Sequence, residues 1–372
     1  MRVWLAVPEP SRFSSCITGG GNAWYRVENM SSITLGIIGC GKVVSSIHLD
    51  ALAHVAQARV LAVADPVEER RTLAAARCGG AAAFKDWREL LEGSVQAVLI
   101  CTPSADHAEC AIQAFAHGKH VYLEKPIANS PAQAETILQA WGNTSLVGMM
   151  GFNYRHHPLF VRARETVTSG RLGKILGIES AFTSSGSWMH DWKKRRASAG
   201  GVLFDLATHH IDLIHYLFDQ PVADVSAQLA SRNSEQDTAW LRMTLQNGIV
   251  VQSFFCLYGT DANRFEIYGE SARLTVDYVA KTFRIVDRGC SPAERIASAL
   301  GHEAGRLRNV LGSRRDPSYE MALANFVNTV ADGRHQIQPD LRDGLRVSLV
   351  VDAAERSAES GRNQQVEPYP GG

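Results

Sequence analysis

The stretch Leu35-Gly-Ile-Ile-Gly-Cys-Gly-Lys-Val-Val44 limits what this chain can fold into more than any other. An apolar strand runs into Gly39-x-Gly41, and a helical pattern begins near Lys42. A second apolar run, Val60-Leu-Ala-Val-Ala64, ends on Asp65. Strand, glycine turn, helix, strand and acid, in that order, make the first half of a dinucleotide-binding parallel sheet. Gly39 permits the tight turn. Gly41 removes the side chain that would keep backbone N–H groups away from a pyrophosphate, and the helix N-terminus supplies those groups. Asp65 follows Gly41 by 24 residues, near the roughly 20 expected of the acid that accepts from ribose hydroxyls. The candidate cofactor contacts here are Gly39, Cys40, Gly41, Lys42, Val43 and Asp65. A carboxylate at that point welcomes a ribose diol and repels a 2′-phosphate, so NAD is expected rather than NADP. Arg70 and Arg71 fall on helical spacing that suits a solvated face. Val44 stands where the fingerprint has a small residue, which predicts slightly looser helix–strand packing.

From 34 to about 150, strand-like and helix-like segments alternate, as a doubly wound parallel sheet requires. Ala97–Cys101, His120–Leu123 and Leu146–Met150 read as its later strands. A helix over Leu159–Thr168 leads to the turn Gly170-Arg-Leu-Gly173. The second half changes character. A glycine-led helix, Gly200–Phe218, precedes strands at Val222–Leu229, Thr238–Leu245, Ile249–Tyr258, Arg264–Tyr268, Leu274–Tyr278 and Phe283–Val286. Turn signals such as Gln246-Asn-Gly248 separate them, predicting one large open, mostly antiparallel sheet with helices on one face. Two late helices, Tyr319–Ala331 and Leu345–Glu359, are expected to pack back on the first domain. The predicted class is α/β, with a Rossmann domain over 31–152 and a second α/β domain over 153–366. Residues 290–316 carry a basic amphipathic pattern, read as a surface helix with a solvated face. Residues 1–30 read as a disordered extension, because the apolar run Val3–Val7 stops at Pro8 and Met30 sits just before the first strand.

At 372 residues and 45% hydrophobic, the chain can bury two sizeable cores. Its 38 basic and 38 acidic residues cancel, so no global field points to nucleic acid or an anionic membrane. No run reaches the roughly 18 apolar residues of a membrane span. Seven cysteines, an odd number without C-x-x-C spacing, argue against structural disulfides or zinc and for a reducing cytoplasm. An open sheet leaves apolar area uncovered, so a homodimer or homotetramer through that face is expected.

Two constellations can carry chemistry. Glu124-Lys125-Pro126 ends the fifth strand, where ligands of open parallel sheets bind, and the proline fixes the backbone behind the lysine. Read alone, the tripeptide is more often a charged strand end before a turn. Asp205 and His209 are four apart, so on a helix they share a face. Alcohol oxidation needs a proton acceptor, and an imidazole oriented by a carboxylate supplies one at neutral pH. The same pair could instead bridge helices as a buried polar contact. His210 and Asp212 point to other faces and read as structural, and no third ligand completes a metal site.

These motifs in their order resemble the Gfo/Idh/MocA family, named for glucose–fructose oxidoreductase, inositol dehydrogenase and a rhizopine-catabolism protein. The likeness runs from about Thr34 to Val366. It is carried by Gly36–Gly41, Thr102-Pro103 with His107, Gly118–Pro126, Gly151-Phe-Asn-Tyr-Arg155 with Pro158, Gly200-Gly201 with Asp205 and His209, and Asn325-Phe326 with Gly333. The resemblance implies NAD(P)-dependent hydride transfer at a hydroxyl carbon of a sugar, cyclitol or related polyol. It implies Lys125, Asp205 and His209 as the catalytic triad, with His209 the proton acceptor. Cys101, Thr102, Pro103, His107, Glu124 and Lys125 would line the nicotinamide side, and Tyr154, Arg155, Asp191 and Trp192 the substrate. Ala199 departs from the family's glycine there. Lys193–Arg196 is unusually basic and raises an anionic substrate as a possibility, against a solvated loop. Two other functions share the fold: a non-catalytic NAD(P)-binding sensor, and a reductase of biliverdin or dihydrodiol type.

Overall fold

Buried aliphatic runs build the first sheet in the computed structural model, which describes residues 32–186, 194–196, 200–289, 291 and 316–369. Strands β1 (Ile33–Ile38), β2 (Ala58–Ala64), β3 (Ala82–Phe84), β4 (Ala97–Ile100), β5 (His120–Leu123) and β6 (Gly148–Met150) lie in the order β3-β2-β1-β4-β5-β6. All pair in parallel. The order changes direction between β1 and β4, where the carboxyl ends of such sheets part to form a ligand crevice. Helices α1 (Leu49–Leu52), α2 (Glu68–Arg77), α3 (Trp87–Leu91), α4 (His107–Ala116) and α5 (Pro131–Gly142) make the connections. Asp86 and Ser130 start α3 and α5 by accepting the backbone N–H of Arg88 and Gln133.

A π turn, Val44–His48, precedes α1, with the Leu49 N–H returning to the Val44 carbonyl five residues back. Val44 was expected to loosen the packing here, yet it is fully buried. The wider turn gives its branched side chain the room that a tight α-helical start provides only for glycine or alanine.

The second sheet holds β7 (Ile175–Thr183), β8 (Val222–Ala230), β9 (Thr238–Leu245), β10 (Val250–Cys256), β11 (Ala262–Gly269), β12 (Ala272–Asp277), β13 (Thr282–Asp287) and β14 (Gln364–Gln365). Their order is β13-β12-β11-β7-β10-β9-β8-β14. Every pair is antiparallel except β7 with β10. The sequence pattern missed β7, although it is a central strand, because Gly177, Ser180 and Ala181 dilute its alternation. Helix α6 (Pro158–Thr168) lies against β12, and a second π turn, Leu203–Ala207, lies against β7 and β10 before continuing as α7 (Thr208–Phe218). On the opposite face Trp240 is 39% exposed and packs on Phe254 at 5.3 Å between ring centroids.

Helix α8 (Pro317–Ala331) inserts Ala322, Leu323, Phe326 and Val327 into the core of the first sheet, beside Leu35, Ile37 and Leu99. Helix α9 (Leu341–Ser360) bridges the layers, touching α5 and β6 on one side and α7 and β8 on the other. It begins four residues before the predicted Leu345. Asp340 and Asp343 form a capping box, and Gly344 is present because a Cβ there would meet Met150 and Ile127 at 2.8–2.9 Å. Residues 1–30 and nearly all of 290–316 lie outside the described residues, and no described helix is long and apolar enough to cross a membrane.

Candidate active site

The glycine loop is fixed by backbone contacts from neighbouring strand ends. Gly39 has φ +88°, and a Cβ on it would sit 2.8 Å from the backbone of Cys101 and Thr102. Its N–H continues the ladder to Ala64, while Cys101 N–H reaches Ile38. Asp65 is 5% exposed, and its two carboxylate oxygens accept the N–H groups of Cys40 and Val67, each at 2.8 Å. Each oxygen keeps a second lone pair, so the carboxylate can still accept from a diol. A Cβ on Gly41 would meet nothing within 4 Å, and Lys42 is exposed beside it with Val43 half-buried. The open space over a helix start fits a pyrophosphate. Arg71 is not on a solvated face as expected. Its guanidinium reaches the carbonyls of Asp65 and Pro66.

Further along the strand ends, Cys101 is buried, Thr102 half-buried and Pro103 exposed. His107 does not face a cofactor as expected. It is 1% exposed, and its Nδ1 and Nε2 sit 2.8 and 3.0 Å from the carbonyls of Pro126 and Thr102, between two loops, where a neutral ring donates to one carbonyl at a time. Burial pulls its pKa below the ordinary histidine value. Glu124 accepts from His48 Nε2 at 2.8 Å and from the Lys125 N–H at 3.1 Å. Its burial works against the charge. The hydrogen bond and charge of His48, helped by Lys125, outweigh that and hold the carboxyl below the usual range. His48 was missed in the sequence, where nothing in its spacing separates it from the apolar residues around it.

Lys125 is 14% exposed at its side chain, and its Nζ donates to the Asp205 carbonyl at 2.8 Å and to Asp205 Oδ1 at 3.2 Å, across 80 residues. Asp205 lies within the π turn rather than on a plain α-helix, and His209 follows in the first turn of α7. Both are buried, at 6% and 8% exposed. The His209 ring lies on Tyr154, centroids 4.7 Å apart. Tyr154, expected at the substrate, is itself braced, since its hydroxyl accepts from Asn263 Nδ2 at 3.1 Å. Asn263 Oδ1 must then accept from His210 Nε2, and His210 Nδ1 meets Ser180 Oγ, both at 3.1 Å. Burial presses the His210 pKa down to about 3, so its ring is neutral.

Arg155 corrects a further expectation. It is not presented to substrate but is 7% exposed, with Nε on both oxygens of Asp212 at 3.0 Å and Nη2 on Asp343 at 3.1 Å. Asp212 and Asp343 bring α7 and α9 onto one guanidinium. Arg196 is likewise tied, pairing with Glu355 over the Phe204 ring while its N–H reaches Glu235, so it offers no anion site. Asp191, Trp192, Lys193 and Ala199 lie outside the described residues. Among those described, no cluster of three or more His, Cys, Asp or Glu could hold a metal.

Residues 33–152 match the family described as an oxidoreductase family with an NAD-binding Rossmann fold, and residues 160–275 match the GFO/IDH/MocA C-terminal domain. The chain is 25% identical to a myo-inositol 2-dehydrogenase of Thermotoga maritima over 91% of its own length and 99% of that protein. It is 26% identical to a levoglucosan dehydrogenase of Pseudarthrobacter phenanthrenivorans over 81% of its length and 87% of the relative. Among solved structures, a levoglucosan dehydrogenase complex with NADH and levoglucosan superposes with a TM-score of 0.77 at 25% identity, covering 91% of this chain and 100% of the other. An oxidoreductase domain protein from Kribbella flavida superposes with a TM-score of 0.80 at 24% identity, over 91% and 100% of the two chains.

Proposed function

The chain belongs to the Gfo/Idh/MocA oxidoreductase family and has its NAD-binding Rossmann fold, and from that premise we propose an NAD-dependent dehydrogenase that oxidises a CH–OH carbon of a sugar, cyclitol or related polyol. The observation that carries this reading is the reach of Lys125 to Asp205 at 3.2 Å, on the segment that continues to His209. The substrate class follows the relatives named for inositol and levoglucosan. When bound, NAD supplies the hydride acceptor. Gly39–Val43 and Asp65 hold its pyrophosphate and ribose, while Cys101, Thr102, Pro103 and Glu124 flank the nicotinamide end.

The chain's own residues handle the proton. His209 takes it from the substrate hydroxyl, with its ring packed at a tilt of 33° against Tyr154. Lys125 donates to the reacting oxygen and favours negative charge as it develops there. Asp205 keeps the ammonium aimed. Asp191 and Trp192 belong to the substrate side of this reading. Incubation with NAD and a panel of inositols, anhydrosugars and hexoses should raise absorbance at the NADH band for at least one compound. Silence across the panel in both directions, with NADH binding intact, would leave a nucleotide-binding sensor.

The exposed face of the second sheet docks a second copy of the chain, giving a homodimer or homotetramer. It carries Trp240 and Phe254 among Arg242, Arg264, Glu179 and Glu266, an apolar centre rimmed by charges of both signs. Sedimentation should find an oligomer for the native chain and a smaller species for Trp240→Glu.

A further inference from the structure

Glu124 sits at a junction. Its Oε1 meets His48 Nε2 at 2.8 Å, across 76 residues of sequence, and its Oε2 accepts the Lys125 N–H at 3.1 Å. His48 is fully buried, with its ring edge-packed against Tyr122 and Tyr319 at centroid distances of 5.9 and 5.6 Å. It is the last residue of the π turn that follows the glycine loop. An ionised carboxylate only accepts, so Nε2 carries the proton of this contact. We propose that His48 is a positioning residue that links the turn after the dinucleotide loop, through Glu124, to the peptide carrying Lys125. The inference deepens the dehydrogenase reading of Lys125 and rests on it.

A glutamate side chain has several rotatable bonds, and holding its far end in one place costs entropy unless a partner fixes it. Here one oxygen is fixed by His48, which leaves the other aimed at the Lys125 N–H. Gly151 closes the space behind, since a Cβ there would lie 3.2 Å from Glu124 Cα and Oε1. On the far side of the lysine, His107 holds the Pro126 carbonyl at 2.8 Å. Lys125 is thus gripped before and after, and the grip before it runs back to the turn that follows the glycine loop. Movement of Val44–His48 as the loop takes up a pyrophosphate passes to Lys125 through two hydrogen bonds.

The test uses two variants that trim the same ring. His48→Gln keeps an amide N–H near the place of Nε2, whereas His48→Asn keeps one only near Nδ1. Both disturb the packing between the tyrosines, but only the first preserves the contact with Glu124. Acetylation of Lys125 by acetic anhydride, read by peptide mass spectrometry with and without NADH, reports on the lysine without any polyol. NADH should change the Lys125 labelling rate severalfold in the native chain and in His48→Gln. In His48→Asn that response should shrink to what direct shielding by the bound nicotinamide leaves, while NADH affinity, by fluorescence titration, stays within about twofold of native. For a polyol that turns over, kcat should fall by as much as about 10²-fold in His48→Asn with the KM for NAD little changed. Equal labelling responses in the two variants would overturn the link. Should His48→Asn fail to fold, His48→Leu fills the niche between the two tyrosines with no donor and should weaken the response likewise; a response equal to native there also overturns the link. A labelling pattern that holds while the panel stays silent removes the dehydrogenase reading alone.

Discussion

Between Gly39 and His48, and again between Gly201 and His209, the chain follows one plan: a glycine at positive φ (88° and 93°), a π turn, then an α-helix. The two stretches use that plan differently. The first offers main-chain groups, and its fixed contacts come from adjacent strand ends, such as Cys40 N–H on Asp65 and the backbone of Cys101 beside Gly39. The second offers side chains, Asp205 and His209, whose partners Lys125 and Tyr154 come from remote segments. A site made of backbone tolerates changes of side chain but not of φ or of close approach. A site made of side chains has the opposite sensitivities.

Three measurements can break or sharpen that contrast. The largest effect belongs to the second stretch: His209→Ala should lower the chemical rate by about 10²–10⁴ and leave NADH affinity nearly unchanged, by steady-state kinetics beside fluorescence titration. A parallel loss of NADH binding would mean the two stretches are not separable. In the first stretch, Gly39→Ala puts a methyl 2.8 Å from backbone at a φ that alanine resists, and should cost about 1–3 kcal/mol of stability in urea denaturation. Gly41→Ala meets no atom within 4 Å, so its stability should stay within about 0.5 kcal/mol while NADH affinity drops. Equal destabilisation by both would contradict the assigned roles of the two glycines. The third measurement is acid lability around the second stretch. Burial holds His210 at about 3 and His215 and His156 at about 4, below the ordinary histidine value. The unfolded chain therefore binds protons that the folded chain refuses, so stability is present above about pH 6.5 and is lost as pH falls toward 4. Each such histidine should steepen the loss by at most about 1.4 kcal/mol per pH unit, and His210→Gln should flatten it.

The same contrast explains what was legible in the sequence. Gly39, Gly41 and Asp65 could be read locally, because a backbone site leaves its mark as glycines and strand ends at fixed spacing. Lys125, Asp205 and His209 stood out as residue types, yet only the fold brings Lys125 to Asp205. Arg155 carried the chemistry of a substrate ligand and proved to be the hub for Asp212 and Asp343, because nothing local separates an arginine aimed inward from one aimed at a cleft. His107 failed for the same reason. His48 left no trace, since one histidine within a buried helical turn has no period of its own. The late helix was read from Leu345, four residues short, and Gly344 is a point of close approach inside α9.

The π turn at Leu203–Ala207 carries one consequence for descent with insertions and deletions. Such a turn holds one residue more than an α-helix would. Loss of a single residue there would let the segment wind as an unbroken α-helix, with the flanking turns kept in phase and the residues inside the turn, Asp205 among them, given new bearings. Asp205 and His209 could not then keep their present bearings together, so this short stretch should tolerate substitution far better than any change in length.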